Sequence, residues 1–204
     1  MDQKILIGNR HENWESVLKH LDVEVKTMEP LTVGYRSTHE IMNVAKSVIG
    51  NKTVNTEWRA FRHGAPVERF SFQNQGALMV FLADALEDLQ IRETDASIAV
   101  LTRDIGSAEE LYQGLMRADV PNMSLIQNQE FSFKPGIEVT EIAQTKGLEF
   151  DYVIITDVDA STYGLDEASR HLLYVGVTRA AHQLWLLHNR RPSKLLPEII
   201  DSSI

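Results

Sequence analysis

At residues 152–157 the chain reads Tyr-Val-Ile-Ile-Thr-Asp, an unbroken apolar run that ends in a carboxylate. A strand that is buried on both faces has this pattern, which is typical of the middle of a parallel sheet. On either side of it, β-rich apolar runs alternate with helical patterns, and this alternation predicts an α/β fold with a mostly parallel central sheet. The predicted strands cover residues 23–26, 67–72, 97–102, 124–126, 138–142, 152–157 and 183–187.

Caps and apolar spacing predict the helices. Ser37-Thr38-His39-Glu40 has the form of a capping box, and Gly50 suits the position just past the end of the helix that would follow. A second capping box is predicted from Ser107 to Glu110. Further helices are predicted over residues 77–89 and 167–181, a polar surface connection over 51–64, and a short terminal helix that opens at Pro192.

Length and composition favour one globular domain. The 204 residues are 43% hydrophobic and 24% charged, and no convincing linker divides them. We interpret residues 1–204 as a single domain and leave open that the first 20 or so are a remnant of a preceding segment. The lack of cysteine excludes thiol catalysis, disulfides and cysteine-based zinc sites. With no signal peptide or membrane span in the sequence, we expect a cytoplasmic protein with no membrane partner.

Charge and missing motifs narrow the function. The net charge of -9 weighs against strong nucleic-acid affinity by this chain alone, although local phosphate contacts stay open. The chain contains neither a G-x-x-x-x-G-K-[ST] phosphate loop (P-loop) nor G-x-G-x-x-G. Asp157 and Asp159 could hold magnesium, but without a phosphate loop a solvated strand end is the favoured interpretation. Asp166-Glu167 does not follow a buried strand, which disfavours a Walker B pair. We predict no metal site.

Three stretches carry candidate chemistry, and the first is Leu-Thr-Val-Gly-Tyr-Arg-Ser-Thr at residues 31–38. Tyr35 and Arg36 would follow the carboxyl end of a strand, the edge at which open α/β sheets bind ligands. There an arginine can reach a phosphate and a tyrosine can stack on a base. An exposed arginine and a packed tyrosine are an equally good interpretation of this stretch alone.

The second stretch is Gln-Thr-Lys-Gly-Leu-Glu-Phe-Asp at residues 144–151, between two predicted strands. Gly147 allows close backbone approach. Thr145, Lys146 and Glu149 offer a hydroxyl, a cation and a carboxylate, which together could contact a phosphate and a ribose. Taken alone, the stretch is better explained as an ordinary polar connection.

The third stretch is Leu-Leu-Tyr-Val-Gly-Val-Thr-Arg-Ala-Ala at residues 172–181. On a helix, Leu173, Val177 and Ala180 would share one face and belong to the core. Arg179 lies off that stripe in an otherwise apolar and small segment, so it is a candidate functional cation. A structural salt bridge is the competing interpretation.

In this order the three stretches resemble motifs IV, V and VI of the UvrD/Rep type of superfamily-one DNA helicases. The resemblance runs from about residue 31 to 187, although residues 51–137 match in general architecture only. Finer details, such as Tyr35-Arg36-Ser37-Thr38 and Asp151, look most like the HelD/helicase IV branch. The span between motifs IV and V leaves no room for the accessory subdomain of UvrD and Rep.

The resemblance implies a C-terminal RecA-like lobe, a three-layer α/β domain without a P-loop. An N-terminal lobe would hold most of ATP and Mg²⁺, so the isolated chain is expected to be inactive. Arginine fingers would complete the site, because they neutralise charge on the transferred phosphoryl group. The implied roles are catalysis for Arg36 and Arg179, nucleotide binding for Tyr35, Gly147 and Glu149, and nucleic-acid contact for Gln144, Thr145 and Lys146.

For the whole protein, the resemblance implies ATP-driven movement from 3′ to 5′ along single-stranded DNA. One departure concerns the DNA side, since Ala143 stands where many UvrD-like members have a histidine. Two other functions stay open. One is the motor lobe of a HelD-like factor that recycles RNA polymerase without true unwinding, and the other is a small free-standing nucleotide-binding protein.

Overall fold

The computed structural model describes residues 33–34, 37–50, 59–60, 62–132 and 134–198, with the backbone alone described for 33–34 and 59–60. The predicted strand at 23–26 and the proposed remnant at the amino terminus lie outside these residues. So do Tyr35 and Arg36.

Thirteen elements follow one another in the described residues. They are β1 (Val33–Gly34), α1 (His39–Ile49), β2 (Arg59–Ala60), β3 (Glu68–Ser71), α2 (Gln75–Arg92), β4 (Ser97–Thr102), α3 (Ile105–Arg117), β5 (Met123–Leu125), β6 (Gly136–Glu141), a 3₁₀ turn (Ile142–Thr145), β7 (Phe150–Ile155), α4 (Glu167–Val177) and β8 (Ala180–His188). Strands β1 and β2 pair in parallel as a separate two-stranded sheet.

The other six strands form one all-parallel sheet in the order β3-β8-β7-β4-β6-β5. This confirms the predicted α/β class. The apolar run that begins at Tyr152 lies in β7, between β8 and β4. Val153, Ile154 and Ile155 are almost completely buried, as a strand covered on both faces requires.

Two apolar cores make the molecule three layers thick, as a RecA-like domain should be. Helices α1 and α4 cover one face of the sheet, and helices α2 and α3 cover the other. The first core contains Ile41, Val44, Val153, Leu173, Val177 and Ala180, and the second contains Leu78, Leu82, Leu86, Leu111, Leu115 and Ile154. None of the helices within the described residues is long and apolar enough to cross a membrane.

Both predicted capping boxes are wrong in detail. Helix α1 is capped by Thr38, whose hydroxyl accepts from the Ile41 amide at 3.4 Å, while the Ser37 hydroxyl is used elsewhere. Helix α3 begins two residues before Ser107, because Asp104 accepts from the Ser107 amide at 3.0 Å. The Asp104 carboxylate satisfies the Ser107 amide, so the helix begins earlier than it would with Ser107 as its cap.

The helix of the third stretch is shorter than predicted. It ends at Val177, not at residue 181, because the Thr178 hydroxyl donates back to the carbonyls of Tyr174 and Val175 at 2.9 and 3.0 Å. Ala180 is buried as predicted, but it already belongs to β8. Arg179 therefore stands in the turn between α4 and β8.

The terminal helix predicted from Pro192 is also wrong. Pro192 forms an isolated antiparallel bridge with Asp159, and residues 192–198 contain a turn and no helix. The Ser193 amide donates to the Val158 carbonyl at 3.0 Å, so this segment is held along the loop that follows β7.

Candidate functional site

The three stretches singled out in the sequence meet at the amino edge of β7 and β8. The Ser37 hydroxyl donates to the Ala180 carbonyl at 2.7 Å, and both residues are buried. The Phe150 amide donates to the Arg179 carbonyl at 3.0 Å, and the Arg179 guanidinium donates to the Leu148 carbonyl at 2.9 Å. Residues from all three stretches are thus joined by direct hydrogen bonds.

This meeting place differs from the expected one. Tyr35 and Arg36 were expected at the carboxyl edge of the sheet, the usual ligand edge. They do follow the carboxyl end of β1, but β1 belongs to the separate two-stranded sheet. Ser37, the residue after Arg36, contacts the beginning of β8, so the chain passes the amino edge of the six-stranded sheet there.

The Arg179 side chain is half-buried and held by main-chain carbonyls. Nε donates to Val175 at 3.1 Å and Nη1 to Leu148 at 2.9 Å, and Nη2 lies 3.4 Å from the Thr178 hydroxyl. These contacts tie the turn after α4 to the loop before β7. The guanidinium is therefore positioned by both the second and the third stretch.

A second cation at this edge was missed by the sequence analysis. Nη2 of Arg62 donates to the Ala181 carbonyl at 2.8 Å, and the Arg62 carbonyl accepts from the His39 amide at 2.9 Å. Arg62 falls in the stretch predicted to be an irregular surface connection, where no periodicity or motif marks it. Only the long-range contact with β8 gives it a place beside Ser37 and Arg179.

Glu40, predicted as half of a capping box, instead anchors the segment that carries Arg62. Its carboxylate accepts from His63 Nδ1 and from the Gly64 amide, both at 2.9 Å. The hydrogen bond from His63 lowers the pKa of Glu40 to about 2. The chain near Arg62 is therefore fastened to the first turn of α1.

The second stretch forms a short crossover between two parallel strands. It leaves β6 through the 3₁₀ turn and enters β7, and β4 lies between those strands in the sheet. Thr145 is fully buried and its hydroxyl donates to the Ile142 carbonyl at 2.7 Å. Gly147 has a φ of +87° with open space around its Cα, so backbone conformation explains the glycine better than close approach does.

The residues of the second stretch that were predicted to contact nucleic acid, and Glu149, predicted to bind nucleotide, do not share one environment. Gln144 is half-buried near the carboxyl end of β6, where it accepts from the Gln129 amide at 3.0 Å and donates to Glu141 at 3.1 Å. Thr145 points into the core, and Lys146 and Glu149 are exposed. Their contacts with DNA or nucleotide stay predictions.

A separate cavity of about 1160 Å³ lies at the carboxyl edge, between β4 and β7. It is a topological switch point, since β4 leads to α3 on one face and β7 leads to α4 on the other. Arg103 lines this cavity. The Arg103 guanidinium donates to the Thr162 carbonyl at 2.7 Å and lies 5.3 Å from the centre of the Tyr163 ring.

The carboxylates of this cavity are not the solvated strand end that we predicted. Asp157 accepts from the Arg103 amide at 3.0 Å, and burial raises the pKa of Asp157 to about 6. Asp159 is buried and accepts from the amides of Ser161 and Thr162 at 2.9 and 3.0 Å. In the described part of the chain, no group of three or more acidic or histidine residues is arranged to hold a metal ion.

Asp166, the first residue of the disfavoured Walker B pair, makes hydrogen bonds at the start of α4. Its carboxylate accepts from the Ser169 amide at 2.8 Å and caps α4. These bonds lower the pKa of Asp166. The residue thus stabilises the beginning of the helix that ends at the third stretch.

Comparison with known proteins identifies the family. Residues 30–134 match a family model described as the UvrD-like helicase C-terminal domain, and residues 136–187 match a second model of the same description. A solved structure described as the C-terminal domain of a possible DNA helicase from Lactobacillus plantarum WCFS1 is similar, with a TM-score of 0.66 and 28% identity over 82% of this chain and 94% of that one.

No curated protein matches the chain, and neither of these comparisons singles out the HelD/helicase IV branch. The matched models together extend from motif IV to β8, the region over which the three stretches were found. The six-stranded parallel sheet agrees with the likeness to the solved structure. This chain therefore belongs to the UvrD-like helicase C-terminal domain family and is a helicase motor lobe.

Proposed function

We propose that this lobe completes the ATP site of a DNA helicase whose other lobe holds most of the nucleotide and Mg²⁺, and couples hydrolysis to 3′-to-5′ movement on single-stranded DNA. The observation that carries the proposal is the direct bonding of the three stretches around Arg179 and Ala180. Family membership supports the two partners, an N-terminal lobe and DNA.

On the nucleotide side, Arg179 is the proposed arginine finger. Its guanidinium now donates to the neutral carbonyls of Val175 and Leu148. Phosphate oxygens are stronger acceptors because their bonds with a guanidinium are charge-assisted. When the lobes close, it would therefore be favourable for the Arg179 guanidinium to leave these carbonyls and bind phosphate oxygens. The guanidinium would then stabilise the charge that spreads over the phosphoryl group.

The remaining nucleotide contacts follow from position in the chain. Arg36 precedes Ser37, which is bonded to β8, and we assign it as the second finger. Tyr35 would stack on adenine and Glu149 would accept from a ribose hydroxyl. Gly147 would let the loop turn toward the nucleotide, since its φ of +87° is one that side chains rarely adopt.

The coupling to DNA would run through the crossover of the second stretch. Gln144 lies near the carboxyl end of β6, whereas Leu148 contacts Arg179 at the opposite edge. One short segment therefore links the proposed DNA side to the proposed nucleotide side. Lys146 is exposed and suited to a phosphate of the strand, and the buried Thr145 hydroxyl would hold the turn in shape between them.

The RNA-polymerase alternative has no observation in its favour among the described residues or in the comparisons. We therefore do not propose it as a second function. A free-standing nucleotide-binding protein is equally unsupported, because the sequence has no phosphate loop and the family match is to a helicase lobe.

The test is the DNA-stimulated ATP hydrolysis of the polypeptide that carries this lobe together with a P-loop lobe. Arg179→Ala should lower kcat by about three orders of magnitude or more while ATP still binds, since arginine fingers contribute on this scale. Arg179→Lys should stay impaired, because an ammonium lacks the planar fork. Unchanged turnover in either variant would refute the assignment.

Arg170→Ala is the matched structural control. Nη1 of Arg170 also donates to a main-chain carbonyl, that of Val48, at 3.0 Å, but at the opposite end of α4 from Arg179. Its loss should lower the melting temperature and leave kcat close to wild type. If both variants lose turnover in proportion to lost stability, then Arg179 is merely a tether.

Two further measurements test the partner and the direction. Calorimetry of ATP with the 204-residue chain alone should show no tight binding, and tight binding would contradict the two-lobe site. The two-lobe polypeptide should displace a labelled strand from a duplex with a 3′ tail and not from one with a 5′ tail. The opposite preference would refute the proposed polarity.

A further inference from the structure

A second groove lies on the other face of the molecule, between α2 and the edge of the sheet. Its volume is about 1040 Å³, and its floor is made by alternate residues of β3 and β8. Phe70 and Trp185 form the aromatic part of the floor, with ring centres 6.0 Å apart. Phe81 of α2 leans over Phe70 at 4.8 Å and forms the wall.

Helix α2 is apolar on two faces. Leu78, Leu82 and Leu86 point into the second core and are completely or almost completely buried. A second set of apolar residues on the helix lines the groove, namely Ala77, Val80, Phe81 and Ala85. Of these, Val80 is 63% exposed. A helix with apolar residues beyond its core stripe commonly has a further partner to cover them.

The groove is also acidic. Its lining contains four carboxylates, from Glu68, Asp84, Asp88 and Glu93, and a single guanidinium, that of Arg92. Arg92 is bonded to Asp88 at 2.8 Å. The apolar floor and the acidic rim are together complementary to a ligand that has an apolar centre and positively charged flanks.

One side chain of the floor also carries a donor without a partner. The Trp185 indole Nε1–H is screened from water and has no acceptor among the described residues. Buried indole donors normally find a partner.

We propose that this α2–β3 groove is the docking site of a short segment of a partner protein, with an aromatic or aliphatic anchor flanked by lysine or arginine. The anchor covers Val80 and packs on Phe81 and Trp185. The basic flanks face Asp84 and the other rim carboxylates. The groove is formed by the α2 face of the sheet, while the 3₁₀ turn and α4 of the proposed nucleotide side pack on the opposite face. Docking therefore leaves the proposed nucleotide contacts open and does not depend on them.

The probe is a fluorescein-labelled helical peptide of about 14 residues with a leucine and phenylalanine stripe and lysine flanks. Its affinity for the full chain is measured by anisotropy, beside a twin peptide with glutamate flanks. The lysine peptide should bind and shift the Trp185 indole signal in NMR spectra. The glutamate peptide should bind more weakly by about tenfold or more.

Asp84→Lys tests whether the peptide is attracted by the carboxylates of the groove or by the net negative charge of the chain. It should weaken the lysine peptide by about three- to tenfold and strengthen the glutamate peptide. Glu87→Lys is the matched control, since Glu87 is exposed on the same helix but does not line the groove. Val80→Asn should weaken both peptides, because it removes the apolar contact and not the charge.

Three outcomes overturn the proposal. The first is equal affinity for the two peptides, or no binding of either. The second is an equal effect of Glu87→Lys and Asp84→Lys, which would mean long-range attraction by net charge. The third is a dimer in sedimentation equilibrium that Val80→Asn dissociates, because the groove would then receive a second copy of the chain.

Discussion

Gly176 is the point at which the helix of the third stretch packs on the crossover of the second. A Cβ built at Gly176 would lie 2.7 Å from Cδ1 and 3.1 Å from Cγ1 of Ile142, and 3.2 Å from Cδ1 of Ile155. Both isoleucines are completely buried. The Gly176→Ala methyl group therefore meets side chains that have little room to move.

Two opposing effects determine how much Gly176→Ala changes the free energy of unfolding. Alanine in place of glycine within a helix contributes about 1 kcal/mol of stability. Overpacking of a filled core costs about 1–3 kcal/mol. We expect Gly176→Ala to lower the free energy of unfolding by about 1 kcal/mol and to displace the crossover that carries the proposed Gln144 and Lys146 contacts.

Ile142→Val in the same chain isolates the clash, because it removes the Cδ1 atom that lies nearest to the new methyl group. Alone it should cost about 1 kcal/mol through lost burial and packing. In the double variant the two costs should not add. The double variant should be more stable than the sum predicts by about 1 kcal/mol, as residues in contact show coupling of this size.

Gly114→Ala in α3 provides the control. Its Cβ would lie even closer to a neighbour, 2.5 Å from Cε of Met79, but that atom is the free end of a flexible side chain. It should be neutral or stabilising in urea unfolding. If Gly114→Ala costs as much as Gly176→Ala, or if the double variant is additive, the packing argument fails.

Two other predictions concern caps and buried charge. Asp104→Ala should lower the free energy of unfolding by about 1 kcal/mol and Ser107→Ala by less, because Asp104 is the observed cap of α3; thermal unfolding that ranks them in reverse would contradict the assignment. The pKa of Asp157 is raised from 3.8 to about 6, so its ionisation opposes folding. The contribution of Asp157 to stability should therefore rise by roughly 3 kcal/mol at most as the pH falls from about 7 to 4. Asp157→Asn should remove this contribution in urea titrations, and an unchanged pH profile would show that burial of Asp157 has no such effect.

Local patterns predicted the elements well where one interaction dominates. The apolar run at 152–155 lies in β7, and the stripe at 77–89 lies inside α2. The predicted helix boundaries are wrong where two interactions between residues close in sequence compete. Ser107 and Asp104 can each cap the same helix, and Thr178 can continue a helix or end it by bonding back to Tyr174.

The candidate site was predicted only in part for a similar reason. The resemblance marked Ser37, Leu148 and Arg179 as parts of three motifs, and the structure joins them. It gave no sign of Arg62, whose contact with Ala181 spans 119 positions of the chain. It also gave no sign that Asp157 is half-buried, because Asp157 accepts from the Arg103 amide across 54 positions of the chain.

By itself the sequence determined the class of the fold, the family and the residues that carry the three motifs, because hydrophobic period and motif spacing are local properties of the chain. Tertiary structure alone decided that β7 lies between β8 and β4, that the motifs meet at the amino edge of the sheet, and that a second, acidic groove opens beside α2. Strand order and side-chain convergence depend on contacts between distant residues, and these form only when the two cores are packed.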